Sequence, residues 1–232
     1  MIPAIFIASI LLIGALIPTT LSLFPGQLLN QVLADTVTGT DGDDNLEGSD
    51  NDDDIEGKGG DDRIDSKGGN DRNTGDKNEG DGDGGNDNID SGDGDDRNVG
   101  DNQIGDGDGG DDVINSGAGD DGNTGDNFFG VGNGGDDVIN SGTGDDTNIG
   151  DNLFGGGDGG NDVIMSGKGN DVNLGDNFEG NGAGGDDKIN AAQGDDELTG
   201  GGGADKFKCG SRVDTVTDFN EAEGDKASGN CE

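Results

Sequence analysis

One eight-residue string returns every 25 positions through the middle of this chain. It reads GGDDRIDS from Gly59, GGNDNIDS from Gly84, GGDDVINS from Gly109 and again from Gly134, GGNDVIMS from Gly159 and GGDDKINA from Gly184. A disordered chain has no reason to keep such a register, whereas stacked coils of equal length require it. A solenoid is therefore expected, and composition makes it an unusual one. The 232 residues carry 53 acidic and 12 basic side chains, a net charge of −41, with 53 glycines and no His, Trp or Tyr. Apolar residues make up 26%, and 22 of them crowd into the first 34 positions. Burial of so little apolar surface cannot offset chain entropy and self-repulsion. The lack of His removes Ser-His triads, His metal sites and imidazole acid–base chemistry. The charge excludes the basic surface that nucleic acid needs.

The 25-residue period divides into nine-residue units and seven-residue inserts. Sixteen units fill Gly39–Thr217 together with five inserts, which begin at Gly75, Gly100, Gly125, Gly150 and Gly175. The sixth position of every unit is aspartate: Asp44, Asp53, Asp62, Asp71, Asp87, Asp96, Asp112, Asp121, Asp137, Asp146, Asp162, Asp171, Asp187, Asp196, Asp205 and Asp214. The fourth is Gly in fourteen units, and the eighth is Leu, Ile, Val or Phe in eleven. This pattern resembles the calcium-binding repeat of the repeats-in-toxin (RTX) family, G-G-x-G-x-D-x-U-x with U a large apolar residue. The resemblance covers about 77% of the chain. It implies an all-β fold, a right-handed parallel β-roll or β-helix solenoid with 18- and 25-residue coils, stabilised by multiple Ca²⁺ ions. In it, the first six residues of each unit form a calcium-binding turn and the last three a short strand. The sixteen sixth-position aspartates become metal ligands.

The residues support that implication on their own chemistry. Ca²⁺ takes six to eight oxygens, which Asp supplies from a short stem, while Gly permits the left-handed turns that aim carbonyls inward. A strand such as Val113-Ile114-Asn115 sends only Ile114 to the interior. Each turn thus contributes one apolar residue and needs an ion for the rest. About a dozen ions would cancel about 24 charges, and binding free energy then becomes folding free energy. An EF-hand is excluded. Asp81-Gly82-Asp83 and Asp106-Gly107-Asp108 open like its loop, but Gly92 and Gly117 stand where its Glu belongs.

The inserts add two regularities. Each begins Gly-Asp, so Asp76, Asp101, Asp126, Asp151 and Asp176 line up, one per coil. They form either a third row of ligands or Asx caps of a turn. The five units that precede an insert carry Asn at position eight: Asn73, Asn98, Asn123, Asn148 and Asn173. Each Asn is expected to hold backbone groups of the bent insert, as a stacked ladder. The alternative turns Asn to solvent and position nine (Thr74, Val99, Thr124, Ile149, Leu174) inward. Phe128-Phe129 and Leu153-Phe154 read as a stacked hydrophobic edge, and Arg72 and Lys168 as surface charge.

Residues 1–34 contain no charged side chain and end Val32-Leu33-Ala34, the pattern of a signal peptide cut before Asp35, or else of a membrane anchor. Either implies export. In an oxidising compartment Cys209 and Cys231 are expected to form one disulfide, and zinc is implausible with two Cys and no His. The domain reading is a leader over 1–34, a calcium-binding β-solenoid over 35–217 and a disulfide-tied cap over 218–232. The N-terminal end shows no comparable cap, so copies stacked head-to-tail would give a filament. The leading functional expectation is a secreted, non-catalytic calcium-binding protein of the cell surface or matrix, folding on calcium outside the cell. The alternatives are a filament or surface-layer subunit and, weakest, a polysaccharide-active enzyme, for which no separate catalytic cluster exists.

Overall fold

The computed structural model describes residues 35–78, 82–104, 106–129, 131–154, 156–178 and 182–232. The leader expected over residues 1–34 lies outside them. Among the described residues every regular element is a strand, and successive strands alternate between two nine-stranded sheets. The first sheet runs from Thr36–Thr38 through Asp54–Lys58 and Arg72–Asn78 to Thr215–Val216. The second runs from Asn45–Glu47 through Arg63–Asp65 to Lys206–Lys208 and Lys226–Ser228. All pairing is parallel, and each strand lies beside the strand of the next coil. Val37 pairs with Ile55 and Ile189 with Phe207, 18 residues apart, while Asn98 pairs with Asn123, 25 apart. The described residues form a parallel β-roll solenoid with the two coil lengths that the spacing predicts.

The inserts lengthen the first sheet. Strands such as Arg97–Gln103 and Gly122–Phe128 run past the nonapeptide into the insert, so Asp101 pairs with Asp126 and Asn102 with Asn127. The ladder skips Gly100 and Gly125, the first residue of each insert. Further out, the rings of Phe129 and Phe154 stack at 4.8 Å and 5°, giving the hydrophobic edge that the sequence suggests.

The interior is half apolar and half amide. From the second sheet, Ile64, Ile89, Ile114, Ile139, Ile164, Ile189 and Phe207 stand in single file, none more than 2% exposed. The first sheet begins and ends this way, with Ile55 and Leu198, but its five central positions are the asparagines, at most 1% exposed. Solvent-facing Asn is thus excluded. The expectation that these side chains hold the insert backbone is also corrected. Asn98 Nδ2 donates to Oδ1 of Asn123 at 2.9 Å and to Oγ of Ser91 at 3.0 Å, and the pattern repeats coil after coil. Ser91 Oγ in turn donates to the Ser116 carbonyl at 3.2 Å. An amide column can replace an apolar one only because its donors find partners in the next coil.

The ends differ from expectation in one respect. Residues 218–232 do not leave the repeat: Lys226–Ser228 adds a strand to the second sheet, with Ala227 beside Phe207. Asp205 N–H donates to Asp225 Oδ1 at 3.1 Å, as between the aspartates of other coils. This half-coil departs from the nonapeptide pattern, since it lies 20 residues after the preceding one and carries Glu223 and Ala227 at the Gly and apolar positions. Phe219, itself exposed, lies against Phe207, with 6.5 Å between ring centres. Cys209 and Cys231 form a disulfide across 5.4 Å between Cα atoms, tying the terminus to the last full coil. Arg72 and Lys168 are exposed, as surface charges should be.

Candidate metal centre

Two ladders of aspartate run the length of the solenoid, one beside each sheet. In both, the backbone N–H of a sixth-position Asp donates to Oδ1 of its counterpart in the next coil. On the first-sheet side the chain of bonds is Asp35, Asp53, Asp71, Asp96, Asp121, Asp146, Asp171, Asp196 and Asp214, at 2.8–3.1 Å. On the other side it is Asp44, Asp62, Asp87, Asp112, Asp137, Asp162, Asp187, Asp205 and Asp225, at 2.7–3.1 Å. Asp35 and Asp225 extend the sixteen predicted positions by one at each end. Asp225 escapes the period because it stands 20 residues after Asp205 and not 18, where an 18-residue step lands on Glu223.

One oxygen of each central carboxylate is therefore spent on the backbone, and the other is left over. Oδ2 of Asp62, Asp71, Asp87, Asp96, Asp112, Asp121, Asp137, Asp146, Asp162, Asp171, Asp187 and Asp196 is buried without a hydrogen-bond partner. The ends are exceptions: Oδ2 of Asp44, Asp53 and Asp214 accepts from the N–H of Thr40, Ser49 and Gly210 in its own turn. Glycine makes room for these oxygens. A Cβ built on Gly125 would run into Oδ2 of Asp137, and one on Gly150 into that of Asp162. The turns themselves use left-handed glycines, such as Gly117 (φ 98°) and Gly119 (φ 143°).

The five insert aspartates sit on the second ladder. Oδ2 of Asp126 accepts from Gly135 N–H at 2.6 Å, and Oδ1 is buried without a partner; Asp76, Asp101, Asp151 and Asp176 repeat this arrangement. Carboxylate oxygens of three residues lie mutually within 4.8 Å in four groups: Asp62–Asp76–Asp87, Asp101–Asp112–Asp126, Asp126–Asp137–Asp151 and Asp151–Asp162–Asp176. The first-sheet ladder enters no such group among the described residues.

So many buried carboxylates cannot all carry charge unaided. Burial, followed by the carboxylates around it, lifts Asp162 to about 10 and Asp176 to about 9, and burial lifts Asp87 and Asp187 to about 8. Burial raises Asp101 and Asp151 to about 7, and pushes Asp112, Asp126 and Asp137 well above the ordinary carboxylate range. The first-sheet ladder shifts less, Asp146 and Asp196 reaching about 7. A cation supplies both the missing partner and the missing counter-charge. The donors are hard oxygens, with neither His nor thiolate among them, which suits Ca²⁺ and not zinc or copper.

Fold and donor set together define a calcium-binding parallel β-solenoid. The model of the RTX calcium-binding nonapeptide repeat matches this chain in four copies, over residues 34–72, 151–172 and 181–207. The chain thus carries RTX-type calcium-binding nonapeptide repeats, and such repeats bind Ca²⁺. None of the curated proteins matches the chain.

Proposed function

We propose that this chain is an exported, non-catalytic structural protein that folds when it meets extracellular calcium. The observation that carries the reading is the set of buried, unpartnered carboxylate oxygens along both ladders. A fold that leaves such groups in its interior is unstable without a counter-ion, so calcium and folding are coupled. Low calcium inside the cell then keeps the chain unfolded for export, and high calcium outside folds it. The sixth-position aspartates act as the turn ligands, with Asp44, Asp53 and Asp214 contributing least because their own turns already satisfy them. An interior file of isoleucine one residue wide, faced by amides, gives a rigid rod suited to a matrix or surface role. Head-to-tail assembly is the weaker reading, because the Cys209–Cys231 bridge ties down the C-terminal end.

Circular dichroism during a calcium titration tests this. In chelator the full chain is expected to lack β-structure and to gain it cooperatively at millimolar Ca²⁺. Mg²⁺ should replace calcium poorly, because it demands tight octahedral geometry and sheds water reluctantly. A chain already rich in β-structure in chelator refutes the coupling.

A further inference from the structure

The seven-residue inserts are not part of the nonapeptide pattern, yet each delivers one buried aspartate to the second-sheet ladder. From this we propose that the inserts build a separate column of calcium sites, walled by three carboxylates each and sharing ligands from coil to coil. The inference rests on the reading of the chain as a calcium-folded solenoid, and assigns a site that the repeat motif does not contain.

Three observations converge. The first is geometric. Each of the four groups holds carboxylate oxygens mutually within 4.8 Å, and oxygens on opposite sides of a Ca²⁺ ion stand about 4.6–5.2 Å apart. The second is the state of those oxygens. Asp101, Asp112, Asp126, Asp137, Asp151 and Asp162 are each at most 1% exposed, and each keeps one oxygen without a hydrogen-bond partner. A turn cap would account for Oδ2 of Asp126, which accepts from Gly135, but not for its buried Oδ1. The third is charge. Each 25-residue coil brings two carboxylates to this column, for example Asp126 and Asp137, and one divalent ion per coil neutralises them. The first-sheet ladder brings one per coil, for example Asp121, so the two columns differ in ligand charge.

Sharing is what sets the column apart. Asp126 belongs to the groups on both sides of it, and so does Asp151. An ion at one level therefore orders a ligand of the next, and filling is expected to be cooperative along the column. The first group differs, with two ladder aspartates, Asp62 and Asp87, beside one insert aspartate, Asp76.

Equilibrium dialysis of the full chain at saturating free calcium counts the bound ions. In the D101N/D126N/D151N variant three of the four groups lose a carboxylate, and a loss of three ions relative to the wild type is expected. Asparagine keeps an oxygen that accepts the Gly110, Gly135 and Gly160 N–H groups and removes like charge. If these residues were only turn caps, the count would stay unchanged and the calcium needed for folding would stay the same or fall. That result overturns the proposal. Should the triple variant fail to fold, D126N alone is counted: it is expected to lose two ions, whereas D136N, at an exposed aspartate beside the column, loses none. Equal counts in D126N and the wild type overturn the proposal equally. A wild-type chain that binds no calcium would instead refute the functional reading on which the proposal rests.

Discussion

Replacing Asn123 by leucine tests whether the amide column holds the interior together. Asn123 is 1% exposed; its Nδ2 donates to Ser116 Oγ and to Asn148 Oδ1, both at 3.0 Å, and its Oδ1 accepts from Asn98 Nδ2 at 2.9 Å. Leucine removes all three bonds and strands two neighbours. Asn148 Oδ1 loses its donor and one N–H of Asn98 loses its acceptor, and each unpaired buried group costs about 1–3 kcal/mol. Ser116 still donates to the Ser141 carbonyl and adds little. Burying leucine returns roughly 1.5–3 kcal/mol. The expected net is a destabilisation of about 1–3 kcal/mol, opposite in sign to what hydrophobic counting alone gives. The calcium midpoint is a blunt measure of this. If about ten ions bind as the chain folds, 2 kcal/mol moves that midpoint only about 1.4-fold. Urea unfolding at fixed saturating calcium reads the difference directly. A urea midpoint equal to or above that of the wild type refutes the reasoning. Replacing all five Asn by Leu and all five partner Ser by Gly, the Gly48/Ile55 combination already present in one unit, removes both partners together and is expected to be far less costly than five single changes.

Acidification should have opposite effects with and without calcium. Unfolded Asp titrates near 3.8, whereas in the metal-free fold Asp87 and Asp187 sit at about 8, Asp176 at about 9 and Asp162 at about 10. Folded-state values raised in this way give stability that is fully present below about pH 4 and lost as pH rises through about 8–10. In chelator, circular dichroism is therefore expected to show more β-structure at pH 4 than at pH 8, and no gain on acidification counts against the buried-carboxylate account. With calcium present, lowering the pH should raise the calcium required, because protons and Ca²⁺ compete for the same oxygens. Reducing the Cys209–Cys231 bridge opens a loop with a sequence separation of 22 and should cost about 3 kcal/mol in the entropic model. Urea unfolding with and without reductant checks this, and superimposable curves contradict it. Gly125→Ala drives a Cβ into Oδ2 of Asp137 and is expected to lower the number of bound calcium ions, as dialysis would show; an unchanged count argues against that crowding.

The coil length, the strand positions and both aspartate ladders follow from the sequence alone. In a solenoid every contact recurs at a constant offset, so the period of Ile89, Ile114 and Ile139 in sequence is already their register in space. The stacked aromatic edge follows for the same reason, Phe129 and Phe154 being 25 residues apart, whereas the Cys209–Cys231 pair, 22 apart, follows from there being only two cysteines in a chain read as exported. The partners of the asparagines were within reach too, since each of the five units that carries Asn at position eight begins with Ser, at Ser66, Ser91, Ser116, Ser141 and Ser166. The pattern says that these residues go together but not that they touch. Asn and Ser lie seven positions apart across a turn, and only the path of that turn brings Nδ2 to Oγ. The meeting of Asp126 with Asp112 and Asp137 was wholly a matter of tertiary structure. The insert lies outside the nonapeptide pattern, and nothing in its spacing states whether its aspartate faces water or the second-sheet ladder. The break in the strand ladder at Gly125, where Asp137 needs the space a side chain would fill, lets that carboxylate face the ladder.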